Sequence, residues 1–158
     1  VALDAACEIL DTGGKIRTVP IAEFFTGVKT TVLKKDEILR NVLIPGFTPS
    51  ERTVSGFIKI GNRNSMEIAL ASFAYHITAD KDGVITSAGA AVGSMAETIR
   101  YTASASEFLL GKNVDQLTKA DSEKFADLVL EYTNPITDFR ASAWYRRKVL
   151  WNISKSIF

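Results

Sequence analysis

The chain has 158 residues, 46% of them hydrophobic, enough for one sizeable core with a small appendage and too few for two large independent domains. Its 19 basic residues nearly cancel its 18 acidic ones, so no global field exists to hold a polyanion, which argues against nucleic acid as a partner. One cysteine, Cys7, and one histidine, His76, allow neither an internal disulfide nor a zinc or iron–sulfur ligand set, and no apolar run reaches the ~20 residues that span a bilayer, so a soluble, cytoplasmic chain with no metal and no membrane partner is expected.

VALDAACEIL opens abruptly inside an alternating apolar pattern and reads as a piece of a longer polypeptide. ACEIL, DTGG and KIRTVP then read as two short strands about a glycine-containing turn, a β-hairpin. PIAEFFTG follows as a short helix or turn closed by Gly27. KTTVLKKDEILRNVLIP ends in a strand, with Ile38, Arg40, Val42 and Ile44 at period two before Pro45 stops it. GFTPSERTVSG, rich in Gly, Pro and Ser, is the expected linker, and it divides residues 1–48 from 53–158. Beyond it GFIKIG is strand-like, NRNSMEI is turn-like, and LASFAYHITADKDGVITSAGAAVG forms two apolar arms about a DKDG turn, a second hairpin. From Ile99 the spacing becomes helical. TIRYTASASEFLLGK predicts a helix with Gly111 as C-cap, and LTKADSEKFADLVLEYT a second one behind a Thr or Asp cap, ended by Pro135. DFRASAWYRRKVLWNISKSIF predicts a third, with Asp138 as N-cap and Ala141, Trp144, Tyr145, Lys148, Val149, Trp151 and Asn152 at mixed spacings of three and four. Strands early and helices late predict an α+β fold, an antiparallel sheet with helices packed on one face.

No catalytic residue emerges from the residue types. His76 sits in a strand-like run and reads as a half-buried strand histidine, and Cys7 lies beside Asp4 and Glu8, where a thiolate is disfavoured. The small residues of AGAAVGSMA fit either close approach by a neighbouring backbone or ordinary strand packing. The cluster ITDFRASAWYRRKVL crowds three arginines, a lysine, a Trp and a Tyr around Asp138. At about 100° per residue, Arg146 and Arg147 point in different directions, whereas Arg140 and Arg147 share a face two turns apart. Helix capping or interface anchoring is the expected use, with ligand binding the alternative.

Four ordered stretches carry a resemblance: PIAEFFTGVKTTVLKKDEILRNVLIP, FIKIGNRNSMEIALASFA, AAVGSMAETIR with the Leu-Leu-Gly after it, and DFRASAWYRRKVL. In order and spacing they resemble the flavoprotein subunit of the molybdenum hydroxylases, the family of xanthine dehydrogenase and carbon monoxide dehydrogenase. The resemblance implies that residues 1–48 end an FAD-binding domain and that residues 53–158 form a CO dehydrogenase flavoprotein C-terminal-like domain. It places the glycine-rich loops that grip the FAD pyrophosphate upstream of Val1, so FAD belongs to the intact subunit, and this fragment alone is expected to be inactive. It implies an oxidoreductase in which iron–sulfur and molybdopterin subunits pass electrons through FAD to NAD or another acceptor, and it admits a homo-oligomer. By position Leu39 resembles the leucine that meets the isoalloxazine ring, and Lys59 the lysine beside the flavin. An apolar flank excludes water from the ring, and a cation near its pyrimidine end stabilises negative charge formed on reduction. Arg63 and Glu67 align with charged positions of the acceptor-side loop, while Asn64, Ser65 and Met66 stand where relatives often carry further charge. The competing reading is a non-catalytic assembly module that docks the flavoprotein to its partner subunits.

Overall fold

Alternation along ACEILD turns Cys7 and Ile9 to one side of strand β1 (Ala6–Asp11). In the computed structural model, which describes residues 1–46, 52–63 and 66–158, β1 makes the expected hairpin with β2 (Ile16–Pro20). Its other edge pairs with β5 (Glu37–Leu43), giving an antiparallel sheet ordered β2-β1-β5. Between them PIAEFFTG forms a single helical turn, α1 (Ile21–Phe24), which runs into a two-stranded ribbon of β3 (Phe25–Gly27) and β4 (Thr30–Thr31). Cys7, Ile9 and Phe24 are buried here against Val19, Ile21, Val32 and Leu33.

The period-two reading of β5 fails at a bulge. Glu8 pairs with Asn41 and Ile9 with Leu39, so Arg40 is left over and the strand changes face at that point. Ile38 consequently lies opposite Leu10, and Val42 opposite Cys7, on different sides of the sheet. Both faces of β5 therefore carry exposed apolar side chains: Ile38, Leu39, Val42 and Leu43.

The second sheet is antiparallel and ordered β6 (Arg52–Ile60), β7 (Ala71–Ala79), β8 (Ile85–Gly93) and β9 (Arg100–Tyr101). The expected β7–β8 hairpin is present. Asp80 Oδ1 accepts the N–H groups of Asp82 and Val84, and Gly83 supplies the positive φ of 83° that the turn needs. The expected linker is partly strand, because Arg52 to Gly56 pair with Ala79 to Tyr75; residues 47–51 of it lie outside the described residues. The helix expected from Ile99 starts later, as α2 (Ala103–Leu109). The N–H and Oγ1 of the fully buried Thr102 both donate to the Ala90 carbonyl, at 2.9 and 3.1 Å, and so fix the strand-to-helix corner. Gly111, at φ 76°, follows the C-cap Leu110.

Helix α3 (Lys119–Leu130) begins with a capping box in which Thr118 and Asp121 satisfy each other's backbone N–H groups. It ends at Leu130, well before Pro135, with the N–H groups of Tyr132 and Thr133 closing on the Val129 and Leu130 carbonyls. Helix α4 (Ala143–Lys155) is capped by Ser142, whose Oγ accepts the Tyr145 N–H at 3.2 Å, and not by Asp138. The three helices cover one face of the sheet. Phe73, Ile77, Ile85, Ala90 and Val92 interlock with Leu109, Phe125, Val129 and Leu150, and the Phe125 ring meets Phe73 and Phe158 edge-on at 6.2 and 5.2 Å. On α4 the inward residues are Arg146, Leu150 and Ser154, while Trp144 stands 72% exposed.

Strand alternation sends the intervening residues, Ser72, Ala74 and His76 on β7 and Gly89 on β8, to the helix-free face. The opening segment of the chain lies against that face. A Cβ on Gly89 would collide with the Ala2 carbonyl oxygen and sit 3.1 Å from its carbon, so a backbone approaches the small-residue run closely.

Candidate functional site

The geometry starts from β6. Ser55, Phe57 and Lys59 lie opposite His76, Ala74 and Ser72, so Lys59 belongs to the helix-free face, the face that residues 1–4 cover elsewhere. From the end of β6 the chain loops out through Asn62, Arg63 and residues 66–69, and the Leu70 N–H returns to the Ile60 carbonyl at 2.8 Å. Lys59 Nζ donates to the Glu67 carbonyl at 2.7 Å, and Arg63 Nη2 to the Met66 carbonyl at 2.8 Å. The Glu67 carboxylate accepts the backbone N–H groups of Asn62 and Arg63. Burial pushes the Glu67 carboxyl up, but these N–H groups and the nearby Arg63 and Lys59 charges more than offset it, and the net shift is downward. Lys59, on the strand, is thus brought against the loop that carries Arg63 and Glu67. Leu39 is placed elsewhere, on β5 of the other sheet beside the buried Ile9, 40% exposed.

Behind the loop stands the arginine cluster, and its use differs from the helical-face expectation. Arg140 precedes α4, so it shares no helical face with Arg147. Arg147 Nη1 donates to Thr133 Oγ1 at 2.7 Å and to the Leu130 carbonyl at 3.4 Å, at the C-terminal end of α3 and not on its own helix. Arg146 turns inward, 4% exposed, and donates from Nη1 to the Leu70 carbonyl at 2.6 Å and from Nη2 to Asp138 Oδ1 at 2.9 Å. Asp138 also accepts the N–H groups of Arg140 and Ala141 and pairs with Arg140 Nη1 at 3.0 Å. Burial raises its carboxyl, the two N–H groups and two guanidinium groups lower it more, and it is held at about 2. Sequence reasoning did not connect Asp138 and Arg146 to the 61–70 loop, because the partner of Arg146 is a backbone carbonyl, which no residue type marks.

Two clefts flank the loop. One of about 420 Å³ is lined by Arg63, Met66, Glu67, Ile68, Phe139 and Arg140. Another, of about 320 Å³, includes Ile68, Ala69, Asn134, Pro135, Arg140 and Arg146. A third, of about 540 Å³, lies between residues 1–4 and the His76–Gly89 face. There Ser55 Oγ and His76 Nδ1 are 2.6 Å apart, and burial lowers the imidazole pKa. Cys7 is buried, and burial pushes its thiol up, away from reactivity.

Tested against FAD, the side-chain types suit the ring end of the cofactor and not its phosphates, but Lys59 and Leu39 stand on different sheets and none of the clefts above is lined by both. Lys59 offers a cation held by a carbonyl and Leu39 an exposed apolar flank. By contrast, the positive-φ glycines Gly14, Gly83 and Gly111 sit in turns and after a helix, and none of them opens a helix where a pyrophosphate would be gripped. Among the described residues no group of three or more His, Cys, Asp or Glu could hold a metal, and no helix is long and apolar enough to cross a membrane.

A helix-backed antiparallel sheet whose bare face meets a small β-rich unit defines an α+β module. The chain belongs to the CO dehydrogenase flavoprotein C-terminal domain family, whose model matches residues 56–158, and a model described as the FAD binding domain in molybdopterin dehydrogenase matches residues 1–47. It is 32% identical over 149 residues to a xanthine dehydrogenase of Oryza sativa subsp. japonica, covering 90% of this chain and 11% of that protein. It is 26% identical to xanthine dehydrogenase 1 of Arabidopsis thaliana, covering 96% of this chain and 12% of that protein. Among solved structures, a carbon monoxide dehydrogenase from Hydrogenophaga pseudoflava superposes with a TM-score of 0.86 at 26% identity, over 98% of this chain and 51% of that one. Quinoline 2-oxidoreductase from Pseudomonas putida 86 gives 0.81 at 25% identity, over 99% and 51%. The chain therefore spans about a tenth of those curated relatives and about half of those solved chains.

Proposed function

We propose that this chain forms one wall of the flavin site in an FAD-dependent oxidoreductase subunit of a molybdenum hydroxylase, with residues 1–48 ending the FAD-binding domain and 53–158 forming the C-terminal domain. The observation that carries the reading is the placement of Lys59 on the helix-free sheet face, the same face against which residues 1–4 pack, with its ammonium anchored by the Glu67 carbonyl. FAD, when bound, supplies the electron carrier between iron–sulfur and molybdopterin partner subunits and NAD or another acceptor. This chain's part is to position and insulate. Lys59 presents a fixed positive charge, Leu39 an apolar flank that excludes water, and Glu67 orders the Asn62 and Arg63 amides on the acceptor side. The clefts beside the loop, with Arg63 and Arg140 at their walls, suit an anionic acceptor such as NAD.

Titrating FAD into the intact subunit and into this chain, with flavin fluorescence as readout, tests the reading. Quenching is expected with the intact subunit, and an intact subunit that leaves the fluorescence unchanged would overturn it. Docking of partner subunits is a second role that one observation favours: Ile136, Phe139 and Trp144 stand 70%, 90% and 72% exposed around the entry to α4.

A further inference from the structure

We propose that Arg146 is a positioning residue for the acceptor side of the site, setting the 61–69 loop from the C-terminal helix; the proposal rests on the flavoprotein reading above. A guanidinium with only 5% of its side chain exposed costs stability unless its donors are used, and a residue serving packing alone would be better apolar. Two of its nitrogens are committed. Nη1 holds the Leu70 carbonyl at 2.6 Å and Nη2 the Asp138 carboxylate at 2.9 Å, while the buried Nε has no hydrogen-bond partner among the described residues. Leu70 is the returning leg of the loop and only 1% exposed. Its N–H is tied to Ile60 on β6 and its carbonyl to α4, so the returning leg is held from both sides at one residue.

Asp138 extends the clamp forward. The carboxylate that receives Arg146 also receives Arg140, through backbone N–H and Nη1 at 2.9 and 3.0 Å. Arg140 in turn lines the 420 Å³ cleft opposite Arg63 and Glu67. One carboxylate thus links the buried arginine behind the loop to the half-buried arginine in front of it. The planar guanidinium aims fixed, diverging donors at the carbonyl and the carboxylate, a geometry that lysine, a point charge on a flexible stem, does not reproduce.

The test uses the intact flavoprotein assembled with its partner subunits, carrying Arg146→Lys or Asp138→Asn. Flavin reduction from the donor side and flavin reoxidation by NAD, or by dichlorophenolindophenol if the wild type does not reduce NAD, are measured separately per bound flavin. Reoxidation is expected to slow between about tenfold and a hundredfold, with a raised KM for the acceptor, the scale on which a 1 Å misplacement acts, while reduction stays within about twofold. Lower thermal stability and lower FAD content with unchanged reoxidation per flavin and unchanged KM would overturn the proposal, since that is what a purely structural arginine does. If Arg146→Lys does not accumulate as folded protein, Asp138→Asn, which keeps shape and loses charge, decides by the same two rates. A wild-type subunit that holds no flavin overturns the flavoprotein reading and the proposal together, whereas a flavin-loaded one with unaffected variants overturns the clamp alone.

Discussion

Gly89 is where the seating of residues 1–4 on the helix-free face can be tested with a single methyl group. The residue lies within β8 and is absent from the positive-φ positions, so alanine is conformationally acceptable there, and in a strand it would by itself add about 0.5–1 kcal/mol of stability. The nearest atoms that its Cβ meets are backbone atoms of Ala2, whose carbonyl oxygen it would overlap and whose carbonyl carbon it would approach to 3.1 Å. A backbone cannot rotate away as a side chain can, so the opening segment must lift or β8 must bend, a strain of about 1–3 kcal/mol typical of overpacking. At roughly 2–4 °C per kcal/mol for a chain of this size, Gly89→Ala should lower the midpoint of thermal unfolding by several degrees, read by circular dichroism on the intact subunit. Gly46→Ala is the control, because no atom of the described residues lies within 4 Å of its Cβ, and no loss is expected. A Gly89→Ala protein that melts at or above the wild-type temperature would refute the seating of the first segment on β8, and with it the geometry that puts Lys59 on the shared face.

The remaining predictions concern the cofactor wall, the core and acid stability. Lys59→Met in the intact subunit should slow flavin reduction or weaken FAD retention, and unchanged stopped-flow rates with full FAD content would reduce Lys59 to a loop tether. Phe125→Ala removes a fully buried ring that touches Phe73 and Phe158, and urea titration should show a loss of about 3–5 kcal/mol. Glu37 is held at about 2, below its ordinary 4.5, chiefly by the Arg17 guanidinium and then by the Lys34 N–H. Its folded value lies below its unfolded value, so its contribution is present above about pH 4.5 and lost as the pH falls toward 2. Glu37→Gln should therefore flatten the acid side of the stability curve, and an unchanged slope would remove Glu37 from the account.

Where neighbours in sequence decide, the sequence was legible: both hairpins form where turn residues interrupt alternation, and α3 starts behind its capping box. The bulge at Arg40 was hidden because it arises from pairing with β1, and the reach of β6 back to Arg52 because pairing with β7 outweighs the loop-like composition of GFTPSERTVSG. Asp138 reads as the N-cap of the last helix, but the fold gives it two arginines to hold and leaves the capping to Ser142. For the site, family resemblance pointed to Lys59, Arg63 and Glu67, and the fold sets Lys59 against the loop that carries the other two. That Arg146 and Arg147 diverge was legible, but not that Arg146 is the one turned inward or that it tethers Leu70.

The bared β5 strand has a practical consequence. It is the outer member of its sheet, with Ile38, Leu39, Val42 and Leu43 open to water and its free edge unpaired within the sheet, a template for unwanted strand addition. Recombinant preparations of this stretch by itself should clump through that ribbon, whereas polypeptide that covers it keeps the product dispersed. A lysine at Ile38, on the side away from the small core, is the simplest handle for anyone wishing to crystallise the piece alone.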